Sequence, residues 1–105
     1  MTKAQRDRAR ERFVERTRNW GARLEIRIQA ITIRKMRRKW ASCSTAGRLT
    51  FDESLLSRPP TLQDYVIVHE LLHISVPNHG KLWKSLMRAH LGDYDALEAR
   101  LSRIA

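Results

Sequence analysis

Residues 69–73 read His-Glu-Leu-Leu-His, and they lie near the end of the segment 61–75, Thr-Leu-Gln-Asp-Tyr-Val-Ile-Val-His-Glu-Leu-Leu-His-Ile-Ser. Apolar side chains occupy nearly every face of this segment, and no Pro or Gly interrupts it. This pattern predicts a helix that is buried at the centre of the fold. Residues four apart lie one turn above each other on one helix face, so His69 and His73 can bind a single metal ion.

Glu70 adds a carboxylate beside the two imidazoles. It lies about 100° further round the helix, where it can reach a water molecule in an open coordination position of the metal. Zinc lowers the pKa of such a water to about 7, and the carboxylate can take its proton as it attacks a carbonyl carbon. The competing interpretation is a chance match on a helix with two ordinary histidines, but such a buried cluster would be costly to desolvate. The pattern therefore predicts one catalytic zinc ion with Glu70 as general base.

A catalytic zinc usually has three protein ligands, so one more side chain is needed. We predict His79, because the break at Pro77 lets the chain turn back toward the ion. His90 and Glu98 are the alternatives, each further along the chain. His90 is also explained as a basic residue in the last turn of a helix, where the helix dipole favours it, and Glu98 as a solvent-exposed helix residue.

The composition is that of one small domain without disulfides. The chain has 105 residues and a single cysteine, Cys43, so we expect one domain over 1–105 in a reducing compartment. The N-terminal segment lacks the apolar core of a signal peptide, and no apolar run approaches the roughly 20 residues of a membrane span. A soluble, cytoplasmic protein is the expectation. A lone cysteine is more often a small buried residue than a nucleophile.

Positive charge is concentrated in the first half of the chain, which includes a basic N-terminal helix within 1–29. The formal net charge is +10; residues 1–48 carry 15 Lys and Arg against 4 Asp and Glu, whereas residues 49–105 carry 6 against 7. Such a basic half can bind nucleic acid through phosphate contacts, or it can be the solvated surface of a small protein. No groove-reading or base-stacking motif accompanies the charge. Nucleic acid is therefore one candidate partner of this half.

Hydrophobic periodicity predicts an α+β fold. An N-terminal helix over 3–20 is expected to stop at Gly21. Alternating apolar residues then predict two strands of a small antiparallel sheet, at 30–36 and 48–52. The segment between them, 40–47, is rich in Ser, Thr and Gly and is expected to be a loop.

Three helices are expected after the sheet. The metal-binding helix over 61–75 should begin with a capping box at Thr61 and Asp64. A second helix over 79–91 should be closed by Gly92. The last helix has an apolar stripe, which must be buried on its own core, across the cleft or on a second molecule. The stripe consists of Leu97, Leu101 and Ile104. Latency through the C-terminal segment, or self-association through this helix, follows as an expectation.

Two segments carry motifs that are more specific than periodicity. The first, over 69–83, is His-Glu-Leu-Leu-His and, three residues later, Pro-Asn-His-Gly-Lys-Leu-Trp; the second, over 33–44, is Ile-Arg-Lys-Met-Arg-Arg-Lys-Trp-Ala-Ser-Cys-Ser. Together they resemble the SprT-like and minigluzincin group of minimal gluzincin-type zinc metallopeptidases, with Trp83 where that group has an aromatic residue. The resemblance covers about 30–105. Ala41 stands where the group usually has Gly, a departure that concerns the shape of the loop rather than the metal site.

The resemblance implies a minimal zincin-like fold that hydrolyses peptide bonds. It implies one zinc ion with three ligands and Glu70 as general base. The ligands are His69, His73 and His79. It also implies that the strand at 48–52, or its neighbour, lies along the cleft at a sheet edge and pairs with an extended peptide or unstructured protein. The segment Trp40–Ser44 is then expected to shape the rim of the cleft.

Two other functions would keep the zinc but change its use. A related minimal domain could hydrolyse nucleotides, with the basic half contacting phosphate, or the zinc could belong to a DNA-associated protein with little or no peptidase activity. Glu70 distinguishes a catalytic zinc from a structural one, because a purely structural zinc needs no carboxylate there and favours a fourth ligand. Tyr94 and His90 are weak candidates for stabilising an oxyanion, and Tyr65 is expected to be a core residue or to support a ligand.

Overall fold

The computed structural model describes residues 1–76 and 78–104, apart from the side chain of Ile104. The elements of this part of the chain are α1 (Lys3–Leu24), β1 (Ala30–Arg34), β2 (Ala41–Cys43), β3 (Arg48–Asp52), the 3₁₀ helix Glu53–Ser57, α2 (Pro60–Ser75), α3 (Lys81–Leu91) and α4 (Tyr94–Ile104). The predicted α+β class is confirmed. The break predicted at Pro77 lies outside the described residues.

The three strands form a mixed sheet with the order β1-β3-β2. β1 runs parallel to β3, with Thr32 opposite Thr50, and β2 runs antiparallel to β3, with Ser42 opposite Thr50. The antiparallel pairing predicted for the strands at 30–36 and 48–52 is therefore wrong. The predicted loop between them contains β2. The chain reverses direction before β2 and again after it, so β3 runs in the same direction as β1.

A tight loop joins β2 to β3. The Gly47 N–H donates to the Ser44 carbonyl at 3.0 Å, and the Ser44 N–H donates to the Arg48 carbonyl at 3.0 Å. Gly47 has a φ of +89°, and a Cβ at this position would lie 2.6 Å from the Arg27 carbonyl oxygen. The turn therefore requires glycine. It places β2 at an edge of the sheet, in contact with α2.

The core lies between the sheet, α1 and α2. Leu49 and Phe51, on the predicted buried face of β3, are 1% and 0% exposed. Phe13 of α1 meets Phe51 edge-on, with ring centroids 5.0 Å apart. Burying each of these side chains stabilises the fold by roughly 1.5–3 kcal/mol. Because β3 is the central strand, this core holds the whole sheet against α2.

α1 continues one turn beyond its predicted end. Gly21 is buried inside the helix, and a Cβ there would lie 2.7 Å from Cδ1 of Ile28. Glycine at this position allows the chain that follows to pack closely against the helix. The helix ends at Leu24, after which Glu25 has a left-handed φ of 56° and donates its N–H to the Ala22 carbonyl. The stop predicted at Gly21 is therefore wrong.

α2 is the buried central helix that its composition predicts. Ile67, Val68 and Leu71 are 0% exposed. The helix begins at Pro60, whose fixed φ suits the first turn, and no side chain caps its start. Its apolar faces are thus taken up by the core, and its orientation is set by packing.

Asp64 attaches α2 to α1. Nη1 of Arg16 and Nε1 of Trp20 each donate to the same Asp64 oxygen, both at 2.8 Å. The capping box predicted at Thr61 and Asp64 is therefore wrong. Tertiary hydrogen bonds occupy the carboxylate that a local cap would have used.

α3 and α4 both pack on α2. α3 is closed by Gly92, as predicted, with a φ of +68°. Tyr94 begins α4 and is buried with its ring edge-on to Trp83 of α3, at a centroid distance of 6.0 Å. Leu101 of the predicted stripe is also buried, whereas the side chain of Ile104 lies outside the described part. Among the helices of the described residues, none has the length and apolarity needed to cross a membrane.

Candidate metal centre

The imidazoles of His69 and His73 lie on one face of α2, as their four-residue spacing predicts. Their ring centroids are 4.7 Å apart, and both side chains are half-buried. The other faces of α2 are buried in the core, which fixes the rotation of the helix about its axis. The two rings are therefore presented together at the border of the core.

His79, which precedes α3, joins these two rings. Its ring centroid lies 4.4 Å from that of His73 and 5.3 Å from that of His69. One ring nitrogen from each of the three residues lies within 4.8 Å of the other two. The structure thus brings together the three residues that were predicted as ligands.

The two alternative ligands lie elsewhere. His90, in the last turn of α3, has its ring edge-on to Trp20 of α1 at 6.1 Å. Glu98 is exposed on α4 and is outside the three-histidine cluster. Tyr94, which was considered with His90 for oxyanion stabilisation, is 4% exposed in the core.

The donor set of the cluster suits zinc. Three imidazole nitrogens with a fourth position left open are typical of catalytic zinc sites. Nε2 of His73 and Nε2 of His79 are 2.6 Å apart, the distance of a hydrogen bond between the rings. Two nitrogens on a tetrahedral zinc are about 3.4 Å apart for bonds of about 2.1 Å. The two rings therefore need only a small separation to accept the ion.

Trp83 of α3 forms an aromatic wall against the cluster. Its ring centroid lies 5.1 Å from that of His69, 5.7 Å from that of His73 and 4.3 Å from that of His79. The residue is 4% exposed, and its buried Nε1 has no hydrogen-bond partner among the described residues. Because the indole is held in the core, it restricts the rotation of the imidazoles.

Glu70 lies beside the histidines with its side chain half-buried. Its Oε1 is 3.4 Å from Nδ1 of His69. Burial opposes ionisation of the carboxyl, but hydrogen bonding and charge attraction from His69, assisted by Cys43 and His73, outweigh burial and hold the pKa of Glu70 below its ordinary value. The group is therefore a carboxylate at neutral pH and can accept a proton.

Cys43 of β2 makes a hydrogen bond to Glu70 that sequence spacing did not indicate. Burial, followed by the negative charge and hydrogen bond of Glu70, raises the pKa of the Cys43 thiol to about 11. The thiol is protonated at neutral pH and is a poor nucleophile, in agreement with the sequence interpretation. Cys43 lies beside Glu70 because it belongs to β2, a strand that hydrophobic periodicity did not predict. The sequence signal that could have indicated this position is the 33–44 motif, which includes Cys43.

A cleft of about 350 Å³ opens beside His69 and Glu70. One wall is the chain that enters β2, with Trp40 and Ala41, as expected for the rim. Another wall is α4. It contributes Glu98, Leu101 and Ser102. The strand at 48–52 is the central strand β3, so the edge strand that borders this cleft is its neighbour β2.

The fold is similar to those of two solved metallopeptidase zymogens. The zymogen of Methanocaldococcus jannaschii jannalysin is 24% identical, with a TM-score of 0.77 over 87% of this chain and 94% of that chain. The zymogen of Pyrococcus abyssi abylysin is 20% identical, with a TM-score of 0.71 over 87% of this chain and 90% of that chain. At these identities the likeness shows the fold. No match was found among curated proteins.

Residues 1–104 match the family model described as YgjP-like, metallopeptidase domain. The match spans the three-histidine cluster, the sheet and the helices that border the cleft, and it includes α1. It agrees with the resemblance to minimal zinc metallopeptidases that the two sequence motifs indicated. The chain therefore belongs to the YgjP-like metallopeptidase family.

Proposed function

We propose that this metallopeptidase binds zinc through its three clustered histidines and uses Glu70 as the general base of peptide hydrolysis. The ligands are His69, His73 and His79. The observation that carries the proposal is the approach of three imidazole nitrogens to within 4.8 Å of one another, beside a carboxylate that is ionised at neutral pH. Family membership supports peptide hydrolysis in general, and the cluster supports these residue roles.

Each side chain has a defined task in this mechanism. A zinc ion held by the imidazoles would polarise a water molecule and the carbonyl of the scissile bond. Glu70 takes a proton from the attacking water as its oxygen bonds to the carbonyl carbon, and delivers that proton to the leaving amine as the C–N bond breaks. Nδ1 of His69, 3.4 Å from the carboxylate, can keep it oriented.

The position of β2 at the sheet edge supports the proposal that the substrate binds in an extended conformation. β2 pairs with β3 on one side, and the chain entering β2 lines the cleft beside Glu70. A peptide in extended conformation can add to such an edge as a further strand, with main-chain hydrogen bonds that do not depend on its sequence. Unstructured proteins and short peptides offer segments of this kind, and we therefore propose them as substrates.

Substitution of Glu70 tests the proposed chemistry. The zinc-loaded Glu70→Gln variant should lose at least about 100-fold in peptide cleavage, because glutamine cannot accept the proton, while its zinc content stays stoichiometric. Glu11→Gln, which changes an exposed glutamate of α1, is the matched control and should retain full activity. Unchanged cleavage by Glu70→Gln would remove Glu70 from the mechanism.

Metal analysis tests the third ligand. His79→Ala should lose zinc during dialysis against a mild chelator, because two imidazoles from one helix cannot complete the site. His90→Ala should keep its zinc, since that ring lies against Trp20 of α1. The reverse pattern, with zinc lost from His90→Ala alone, would overturn the assignment of His79.

We also propose that α4 limits access to the site and so makes the chain latent. Glu98 and Ser102 of α4 line the same cleft as His69 and Glu70, and Leu101 anchors the helix at 6% exposure. Both solved proteins of similar fold are described as zymogens. A substrate strand that pairs with β2 would meet α4, so α4 should be displaced before the substrate binds.

Loosening α4 tests latency. Leu101→Ala should raise cleavage of a short peptide even though it lowers stability by about 2–5 kcal/mol. Met87→Ala is the matched control, since Met87 is 0% exposed on α3 and its loss destabilises the core without touching the cleft lining. A chain truncated after Gly92 should also gain activity. Equal or lower activity of both α4 variants, with the rest of the fold retained, would count against latency, and a doubled mass in light scattering would indicate dimers formed by exchange of α4.

A further inference from the structure

A cationic segment leads into the cleft. Residues 35–39, Lys-Met-Arg-Arg-Lys, connect β1 to the chain before β2 and are called here the basic loop. Arg37, Arg38 and Lys39 are all exposed. Within the part of the chain that the structure describes, none of the three forms an ion pair. The loop therefore presents three uncompensated positive charges to solvent.

One carboxylate beside the basic loop, that of Asp52, is already engaged in hydrogen bonds. Asp52 shares with the loop a depression of about 460 Å³. Its oxygens accept hydrogen bonds from the Met36 N–H at 2.7 Å, from the Ser54 N–H at 3.1 Å and from the Ser54 hydroxyl. Asp52 thus holds the loop in place, and its capacity to attract the exposed cations is reduced. A further cation, the Arg58 guanidinium, lies 6.0 Å from the ring of Trp40.

The depression adjoins the cleft. Lys39 and Trp40 line both of them, and the cleft also contains His69 and Glu70. A chain paired with β2 would advance about 3.3 Å per residue. Cys43 contacts Glu70, so a substrate residue opposite Lys39 lies about two to four residues from the scissile bond.

We propose that the basic loop selects peptide substrates with acidic side chains about two to four residues from the scissile bond, on one side of it. The inference rests on the proposed peptidase function and adds its substrate class. Glu98 of α4 lines the same cleft as Lys39, so the helix that borders the site already places a carboxylate in the cleft. An acidic peptide replaces that carboxylate when it enters.

An acidic peptide fits this surface better than a nucleic acid. A polyphosphate backbone close to the loop would also approach Glu98 and Glu70, which line the cleft. A peptide can place its acids over the loop and leave neutral residues beside these glutamates. Of the three exposed cations, Lys39 lines the cleft, whereas Arg37 and Arg38 line the adjoining depression, and this number suits one or two carboxylates.

The test uses the full zinc-loaded chain and fluorogenic peptides that differ only in carrying Glu or Gln at the selected positions, before or after the bond. The Glu peptide should be cleaved about ten-fold more efficiently at low salt, as expected for two or three exposed charge contacts, and the advantage should appear in KM. It should shrink in Lys39→Gln and in the double variant Arg37→Gln, Arg38→Gln. It should also shrink at about 0.5 M salt. Arg8→Gln, exposed on α1, is the control that removes one charge away from the cleft.

A binding measurement separates this inference from the peptidase function. Zinc-loaded Glu70→Gln should bind the labelled Glu peptide more tightly than the Gln peptide in fluorescence anisotropy, whether or not the wild-type chain cleaves either. Equal cleavage of both peptides, equal binding, or binding of neither would overturn the selection of acidic substrates. Duplex DNA that displaces the Glu peptide, with the effect lost in Lys39→Gln, would assign the loop to nucleic acid and overturn it as well.

Discussion

Replacing Trp83 with alanine is expected to weaken both the fold and the metal site. The indole is 4% exposed and contacts all three clustered histidines. Loss of a buried Trp side chain costs about 3–5 kcal/mol, a large part of the 5–15 kcal/mol of a typical domain. Trp83→Phe should cost roughly 1–2 kcal/mol, because it keeps an aromatic ring and loses no hydrogen bond within the described residues.

The assay combines urea unfolding of the metal-free and zinc-loaded forms with competition for zinc by a chelator. We expect zinc affinity to fall about 10–100-fold in Trp83→Ala, as for other residues that orient ligands, and less in Trp83→Phe. Zinc at about 100 times its Kd should restore about 2.7 kcal/mol to a form that binds it. Leu82→Ala, with a side chain 62% exposed on the same helix, is the control. An alanine variant with wild-type zinc affinity would refute the proposed restraint of the imidazoles.

Three further outcomes are expected. Asp52→Asn should lower the free energy of unfolding by about 1–3 kcal/mol at neutral pH. Burial opposes ionisation of the Asp52 carboxyl, but hydrogen bonds and a nearby lysine outweigh burial and lower the pKa of Asp52. Its stabilising contribution is therefore present above the ordinary carboxyl pKa of 3.8 and is lost as pH falls through the folded value, so the variant and wild type should converge in acid unfolding curves. Cys43 should react slowly with iodoacetamide at pH 7.5 and faster in the Glu70→Gln variant, because burial and then Glu70 raise the pKa of the thiol to about 11; rapid labelling of the folded wild type would contradict this. Gly47→Ala should lose about 1–3 kcal/mol in urea unfolding, because its φ is +89° and a Cβ would lie 2.6 Å from the Arg27 carbonyl oxygen; wild-type stability would show that the turn can adapt.

The helix that carries His69 and His73 was predictable because its signals are local. Helical spacing alone places His69 and His73 on one face and Glu70 beside them. The apolar composition of 61–75 predicts burial, and the structure confirms it. The close of α3 at Gly92 was predictable for the same reason, since a left-handed residue after a helix favours glycine.

The sheet was less predictable, because strand pairing depends on residues distant in sequence. β2 has only three residues, Ala-Ser-Cys, which is too short for its alternation to distinguish it from a loop. Its pairing with β3 nevertheless reverses the chain and makes β1 parallel to β3. Asp64 failed as a helix cap for a similar reason, since Arg16 and Trp20, both on α1, take its carboxylate.

The sequence by itself determined the chemistry that the chain can carry: two imidazoles and a carboxylate on one helix, with a basic first half. Only the tertiary structure decided which distant groups meet that helix. It brings His79 rather than His90 to the cluster, Cys43 to Glu70, and α4 to the cleft. The physical reason is that helix geometry repeats over a few residues, whereas these approaches depend on how the buried faces of separate elements pack against one another.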